Sequence, residues 1–319
     1  MKKILIIGLG FFFLGLSSKQ IQAQEMALSL YPPLLEVTIQ PGRSITQVYQ
    51  LSNQGETDMI LNSRLVPFTP SNEIGGVLLR EQETSEAQPW ISFQNADLAL
   101  GQSFVLKAKG EQQLVLKIKV PEQATEDDYY LTLLLFSQSE SNHQQNSVQS
   151  QIKIGSHLLL TLSQTGEPPK KAQVEDFKIQ NAWFRIGSWQ FIDSFTNPLF
   201  ILRLKNLGRS LFKPMGNLTV SGFSGQKYLL DLLPENILVN STRQTLCFSA
   251  DKNQPLPCRL NLGWKNKFLI GSYQVTVTFG LNKVSEEYRQ TFNFFAFPFF
   301  LTAGLIFLIV FFWLMKKRS

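Results

Sequence analysis

Few side chains in this sequence have the chemistry of a catalyst or a metal ligand. The 319 residues include two histidines and two cysteines. His143 lies in Ser141-Asn142-His143-Gln144-Gln145-Asn146, a polar stretch that reads as a hairpin tip, where a solvated imidazole is expected rather than a general base. His157 heads the apolar run Leu158–Leu162 and is expected to be structural. Glu126-Asp127-Asp128 offers three consecutive carboxylates, but a calcium loop places its ligands at alternating positions, so the run reads as a solvated turn. Cys247 and Cys258 flank a stretch that contains Pro255 and Pro257, which suggests a disulfide closing a surface hairpin. A metal site would need further ligands, and both histidines are distant in sequence. No Gly-x-Ser-x-Gly elbow, phosphate loop or dinucleotide fingerprint is present, and neither cysteine sits in a nucleophile-like context. The expectation is a non-enzymatic protein without cofactor or metal. Its 24 acidic residues permit a pair of carboxylates suited to sugar hydrolysis but do not indicate one.

Aromatic residues are the second chemical resource. Trp183, Phe184, Trp189 and Phe191, with Phe195, cluster around Arg185-Ile186-Gly187-Ser188. Two readings stand: packing into a β-sheet core, which is the commoner fate of such residues, or an exposed platform for a partner protein or for sugar rings. Trp90, in Pro89-Trp90-Ile91, alternates with Ile91 in a manner that suggests core.

The net charge of +6 resembles a nucleic-acid signature until it is located. Lys2, Lys3 and Lys19 lie near the N-terminus and Lys316, Lys317 and Arg318 at the C-terminus, which leaves 24 basic against 24 acidic residues between 24 and 315. A phosphate-binding surface therefore loses its support, and no nucleic-acid partner is expected. The ends carry targeting information instead. Residues 1–23 have a basic start, an apolar run Ile4–Leu16 and a polar stretch ending at Ala23, the three regions of a signal peptide, with cleavage after Ala23 favoured over an uncleaved segment. Residues 294–315 carry no charge and as a helix would extend about 33 Å, enough to cross a hydrocarbon core of about 30 Å. The basic residues that follow place the tail, 316–319, on the cytoplasmic side. The expected topology is a single-pass type I membrane protein, its bulk extracellular and its lipid contact made through residues 294–315.

Between these ends the pattern is one of short alternating runs broken by turn residues, with no amphipathic helix of useful length. Leu34–Ile39, Tyr130–Phe136, Leu199–Leu204 and Tyr273–Phe279 are examples. Gly166-Glu167-Pro168-Pro169-Lys170-Lys171 combines a breaker cluster with charge and marks a linker. The expected fold is all-β: two tandem immunoglobulin-like β-sandwich domains, 24–165 and 174–293, joined by a linker at 166–173 and followed by one C-terminal transmembrane α-helix. Each half has an Asn-x-Gly turn after an early strand, Asn53-Gln54-Gly55 and Asn206-Leu207-Gly208, and a tyrosine opening a late strand, Tyr130 and Tyr273. Asn and Gly suit positive-φ turn positions, while such a tyrosine can fill the core and bond to backbone at a sandwich corner.

The layout as a whole resembles the WxL-interacting proteins of Gram-positive bacterial surfaces. The resemblance rests on the signal peptide, the opening Tyr31-Pro32-Pro33, Pro41-Gly42 before a strand, the two Asn-x-Gly turns, a late Pro121-Glu122 turn and a terminal span with a basic stub. It implies a first domain that binds peptidoglycan and a second that binds a host component, with a WxL-domain surface protein as companion. The expected function is therefore membrane-anchored binding or scaffolding, with cell-wall glycan or another cell-surface protein as partner. The alternative is a chaperone-like assembly factor that holds client strands by β-augmentation, which would require an exposed apolar edge strand in the first domain.

Overall fold

The computed structural model describes residues 28–137, 152–248, 255–258, 268–281 and 287–318. These are mostly β-strand, with one apolar helix at the C-terminus. The first unit contains β1 (Leu28–Tyr31), β2 (Leu34–Ile39), β3 (Ser44–Asn53), β4 (Met59–Pro70), β5 (Val77–Leu79), β6 (Ile91–Phe93), β7 (Ser103–Leu106), β8 (Glu111–Lys119), β9 (Asp128–Ser137) and β10 (Lys153–Leu162). They form two sheets, ordered β1-β3-β8-β6 and β2-β10-β9-β4-β5, with β7 also on β4. Period-two alternation supplies the layer between them: Leu114, Leu116 and Ile118 of β8 meet Leu131, Leu133 and Leu135 of β9 and Leu158, Leu160 and Leu162 of β10 in one buried cluster.

The second unit contains β11 (Ala172–Ile179), β12 (Phe184–Ile186), β13 (Trp189–Asp193), β14 (Phe200–Asn206), β15 (Met215–Gly222), β16 (Lys227–Asp231), β17 (Thr242–Gln244), β18 (Cys247–Phe248), β19 (Pro255–Leu256), β20 (Gly271–Gly280) and β21 (Tyr288–Phe297). Its sheets are β11-β14-β17 and β12-β13-β21-β20-β15-β16, with β18 and β19 as a separate ribbon. Leu202, Leu204, Leu218, Val275, Val277 and Phe294 belong to its core. The helix α1 follows over Phe299–Arg318. The apolar run expected to be membrane helix from residue 294 is thus divided. Phe294 and Ala296 point into the core of β21, which is laddered to β20 and β13, and only after Pro298 does the chain turn helical. An unbroken apolar run hides a buried strand next to a helix; the proline, which suits a helix start, is the boundary mark. Strand pairing likewise begins at Ala172, before the expected domain start at 174, because Ala172 already faces Asn206 across the sheet.

The two Asn-x-Gly turns have the same internal wiring. Asn53 is 1% exposed; its Oδ1 accepts the Gly55 N–H at 3.0 Å, and its Nδ2 donates to the carbonyls of Thr57 at 2.8 Å and Lys107 at 3.0 Å. Asn206 is fully buried; its Oδ1 accepts the Gly208 N–H at 2.8 Å, and its Nδ2 donates to Ser210 and Ile237 carbonyls, both at 2.9 Å. The motif works through the amide, which satisfies loop carbonyls that the sheets leave unpaired. The expected positive φ is absent from both glycines. Gly208 is small for a different reason: a Cβ there would lie 2.8 Å from the Lys171 backbone nitrogen, where the linker passes. The tyrosines diverge. Tyr273 stacks on Phe294 at 4.8 Å and accepts the Ile270 N–H at 3.3 Å, as a corner tyrosine should, whereas Tyr130 faces out of its sandwich toward the second unit. Replacing Asn206 by Ala removes three hydrogen bonds, from the Gly208 N–H and to the Ser210 and Ile237 carbonyls, and should lower unfolding stability by about 2–4 kcal/mol, measured by urea denaturation of the full chain in detergent; a loss below about 0.5 kcal/mol would show that the amide is dispensable.

Candidate functional site: the open edge of the first unit

The site begins with a change of sheet. β1 pairs antiparallel with β3, from Leu28↔Asn53 to Tyr31↔Gln50, whereas β2 pairs parallel with β10, from Leu34↔His157 to Ile39↔Leu162. The crossing falls on Pro32-Pro33, after a cis Tyr31–Pro32 peptide, and prolines suit it because they have no N–H to place in either ladder. β9 accompanies β10 from Lys153 to Thr161, but β2 covers only the part from His157 onward. Lys153–Ser156 is therefore paired on one side alone among the described residues.

The direction of the free groups follows from one bond. The His157 N–H donates to the Pro33 carbonyl at 3.0 Å, which sets odd-numbered β10 residues toward the β2 side. On the other side, the Ile152 carbonyl accepts from Ser137 at 2.9 Å, as an even-numbered residue should. Lys153 and Gly155 thus turn their N–H and C=O outward, beside the place where β2 departs. Ile152 and Ile154 pack partly on the core, and Tyr31, 71% exposed, flanks the crossing with Leu34. An extended segment laid here would continue the line that β2 leaves, bonding to backbone and covering alternate apolar side chains.

The outer face of the same sheet is occupied by the second unit. Leu159, Tyr130 and Phe68 form a row across β10, β9 and β4, and Leu211 and Leu238 pack onto it. The Tyr130 hydroxyl donates to Asp128 Oδ2 at 2.6 Å and accepts the Val239 N–H at 3.1 Å, and the Leu211 N–H donates to the same Asp128 oxygen at 2.6 Å. Glu36 meets Lys213 at 2.7 Å and accepts from Asn236 at 2.9 Å. The turn between β4 and β5 reaches across as well: Glu73 meets Arg203 at 2.7 Å, its carbonyl accepts the Gln244 N–H at 2.8 Å, and Gly75, at φ +90°, leaves no room for a Cβ beside the Arg243 guanidinium. Burial raises the Asp128 carboxyl pKa above its ordinary value despite its hydrogen bonds, and burial with the adjacent carboxylate raises that of the Tyr130 hydroxyl. Asp128 therefore departs from the solvated turn expected for Glu126-Asp127-Asp128. Burial also lowers the His157 pKa; the ring lies 4.9 Å from Phe68 and its Nδ1 is 2.9 Å from the Thr132 hydroxyl, a structural setting.

The other residues singled out from the sequence lie elsewhere. Cys247 and Cys258 are bonded, with Cα atoms 4.9 Å apart, at the base of the antiparallel β18–β19 ribbon, and both are buried in the core of the second unit. Trp183, Phe184 and Trp189 are exposed and Phe191 is half-buried; none belongs to the core. Trp183 and Phe184 meet Phe299 at the start of α1, at 5.2 and 5.7 Å, and Phe191 stacks on Phe184 at 4.5 Å, whereas Trp189 lies at the far end of β13, opposite Asn293. Trp90 packs partly on the first core and meets Tyr129 edge-on at 4.9 Å. His143 and the signal segment 1–23 lie outside the described residues. Among the described residues, no three His, Cys, Asp or Glu side chains gather as a metal site. Sequence reading missed the start of β10, although Ile152-x-Ile154 already carries the alternation, and missed Asp128 and Tyr130 as a docking pair.

No protein-family model and no curated protein matches the chain. Among solved structures it is similar to a chaperone–tip adhesin complex of CFA/I fimbriae biogenesis, at 7% identity and a TM-score of 0.40, covering 83% of this chain and 97% of that one. It is also similar to the class 5 fimbriae chaperone CfaA, at 8% identity and a TM-score of 0.39 over 83% and 98% of the two chains, and to the Escherichia coli chaperone DraB, at 14% and 0.35 over 82% and 95%. At these values the likeness assigns no function to the chain.

The docking pair has a pH signature. A carboxyl whose folded pKa is raised contributes stability that is present below its unfolded pKa and is lost as pH rises through the folded one. The stability advantage of the native chain over Asp128→Asn should therefore shrink across the acid range as pH rises, in urea titrations of both proteins; a difference that does not change with pH would contradict the buried setting of Asp128.

Proposed function

We propose that the protein is a membrane-tethered binding protein that captures an extended segment of a protein partner along the open edge of β10. The observation that carries this reading is the half-covered strand: outward backbone groups at Lys153 and Gly155 beside the part-buried Ile152 and Ile154, with no described strand laddered to them on that side. Strand addition draws its affinity from such a backbone row and its selectivity from the alternate side chains. Both units are read as immunoglobulin-like sandwiches, and no catalytic step is assigned.

The tether is α1, the one described helix long and apolar enough to cross a membrane, whose large apolar side chains from Phe300 to Met315 stay exposed. With Lys316 and Lys317 after it, the span is read as type I, which sets both sandwiches outside the cell. The resemblance to WxL-interacting proteins adds a wall-surface setting and a surface protein as companion. A wall-glycan site has no separate support: of the exposed aromatics that could stack on sugar rings, Trp183 and Phe184 sit at the root of α1, and Trp189 stands apart from them, opposite Asn293.

The test is a proline that blocks the edge without touching the β9 ladder. Lys153 is exposed and its N–H points outward, so Lys153→Pro should cost little stability while removing a donor and obstructing an incoming strand. Binding of the full chain to extended peptides of alternating valine and threonine should weaken by at least about tenfold in the variant. Equal affinity in both proteins would reject the edge as the site.

A further inference from the structure

The second unit carries an apolar rim that its own core does not use. β21 runs toward α1, and its register fixes which other segments lie at that end: Gly271 faces Ala296, Gly222 faces Tyr273, and Asp193 faces Phe297. Trp183, Phe195, Phe223, Phe268, Ile270 and Phe297 all fall on this rim, and all are exposed, Phe223 at 68% and Trp183 at 51%. They come from five separate stretches of chain. Segments 194–198, 222–226 and 268–272 contain no charged residue. The one carboxylate here, Asp193, is buried and turned to the helix, its Oδ2 accepting the Phe300 N–H at 3.2 Å and its Oδ1 the Phe195 N–H at 3.0 Å.

We infer that this rim is a membrane-seating collar, whose occupant is the interfacial layer of the lipid bilayer that α1 crosses. The inference rests on the reading of α1 as a span. Two further facts favour lipid over a protein partner. The rim is continuous with the helix root, since Trp183 meets both Phe299 and Phe300 and Phe297 meets Phe299. The helix is also short: from Phe299 to Met315 its apolar part extends about 26 Å against a hydrocarbon core of about 30 Å. A span that short draws its root to the edge of the hydrocarbon, which carries the surrounding rim into the headgroup layer, where aromatic side chains partition well. Asp193 would hold the helix start against the sheet, so the second unit sits on the surface in one orientation.

The test uses the full chain in vesicles of phosphatidylcholine with a minority of phosphatidylglycerol. Nitroxide labels are placed singly by Phe223→Cys, Phe268→Cys, Phe307→Cys and Ile74→Cys, the native cysteines being bonded to each other. Collisions with oxygen, which concentrates in lipid, are compared with those of a water-soluble nickel chelate. The collar predicts oxygen-to-nickel ratios at Phe223 and Phe268 severalfold above that at Ile74, an exposed site on the first unit, and below that at mid-helix Phe307. If Phe307 reports bilayer while the rim labels match Ile74, the collar is overturned and the span stands. If Phe307 itself is open to nickel, the span fails and the collar with it.

Discussion

A β-strand presents its backbone on two sides, and every N–H and C=O must meet a partner strand, a side chain or water. The first unit is organised by how that requirement is met along β10. One short crossing at Pro32-Pro33 decides it: downstream of the crossing, β2 closes the outer side of β10 from His157 to Leu162, and upstream of it β1 serves the other sheet. The remaining edge is open because the strand that could have covered it is needed elsewhere. Gly155 adds to this exposure, since it has no side chain to shield its own backbone.

Docking of the second unit fixes where the open edge points. Four apolar side chains, Phe68, Leu159, Leu211 and Leu238, are buried between the units, and each contributes about 1.5–3 kcal/mol on burial. The ion pairs around them, Glu36 with Lys213 and Glu73 with Arg203, are partly exposed, and such pairs are worth about 1 kcal/mol or less. The apolar row therefore supplies most of the attachment, and the charged contacts set its register. The row lies beside the covered half of β10, so docking leaves the open half free. On the second unit, Leu211 and Lys213 precede β15 at the end opposite the helix, so α1, the second unit and the first unit follow one another in order, with the open edge beyond the docked face.

Much of this arrangement was legible in the sequence. Alternation located β2 and the central parts of β9, β14 and β20, because half-buried strands write their geometry as period two. The paired Asn-x-Gly motifs marked equivalent loops, although the reason lay in the buried amides of Asn53 and Asn206 and not in glycine φ values. What was not legible depends on neighbours distant in the chain. Asp128 and Tyr130 read as a turn and a core residue, since nothing local shows that Leu211 and Val239 arrive to bond them. The run from Phe294 onward is apolar in both its strand and its helix, and composition does not separate core from lipid. The aromatic cluster was visible, while the place of Trp183 and Phe184 at the helix root, and of Trp189 away from it, follows only from the pairing of β12, β13 and β21.

The central claim concerns two amides, and hydrogen exchange of the isolated full chain in detergent reads them directly. The account predicts that the N–H groups of Lys153 and Gly155 exchange rapidly, while those of His157 and Leu159, on the same side of the same strand but covered by β2, are protected by orders of magnitude. Protection of all four alike would mean that another segment of the chain already closes the edge, and the binding site proposed for it would not exist.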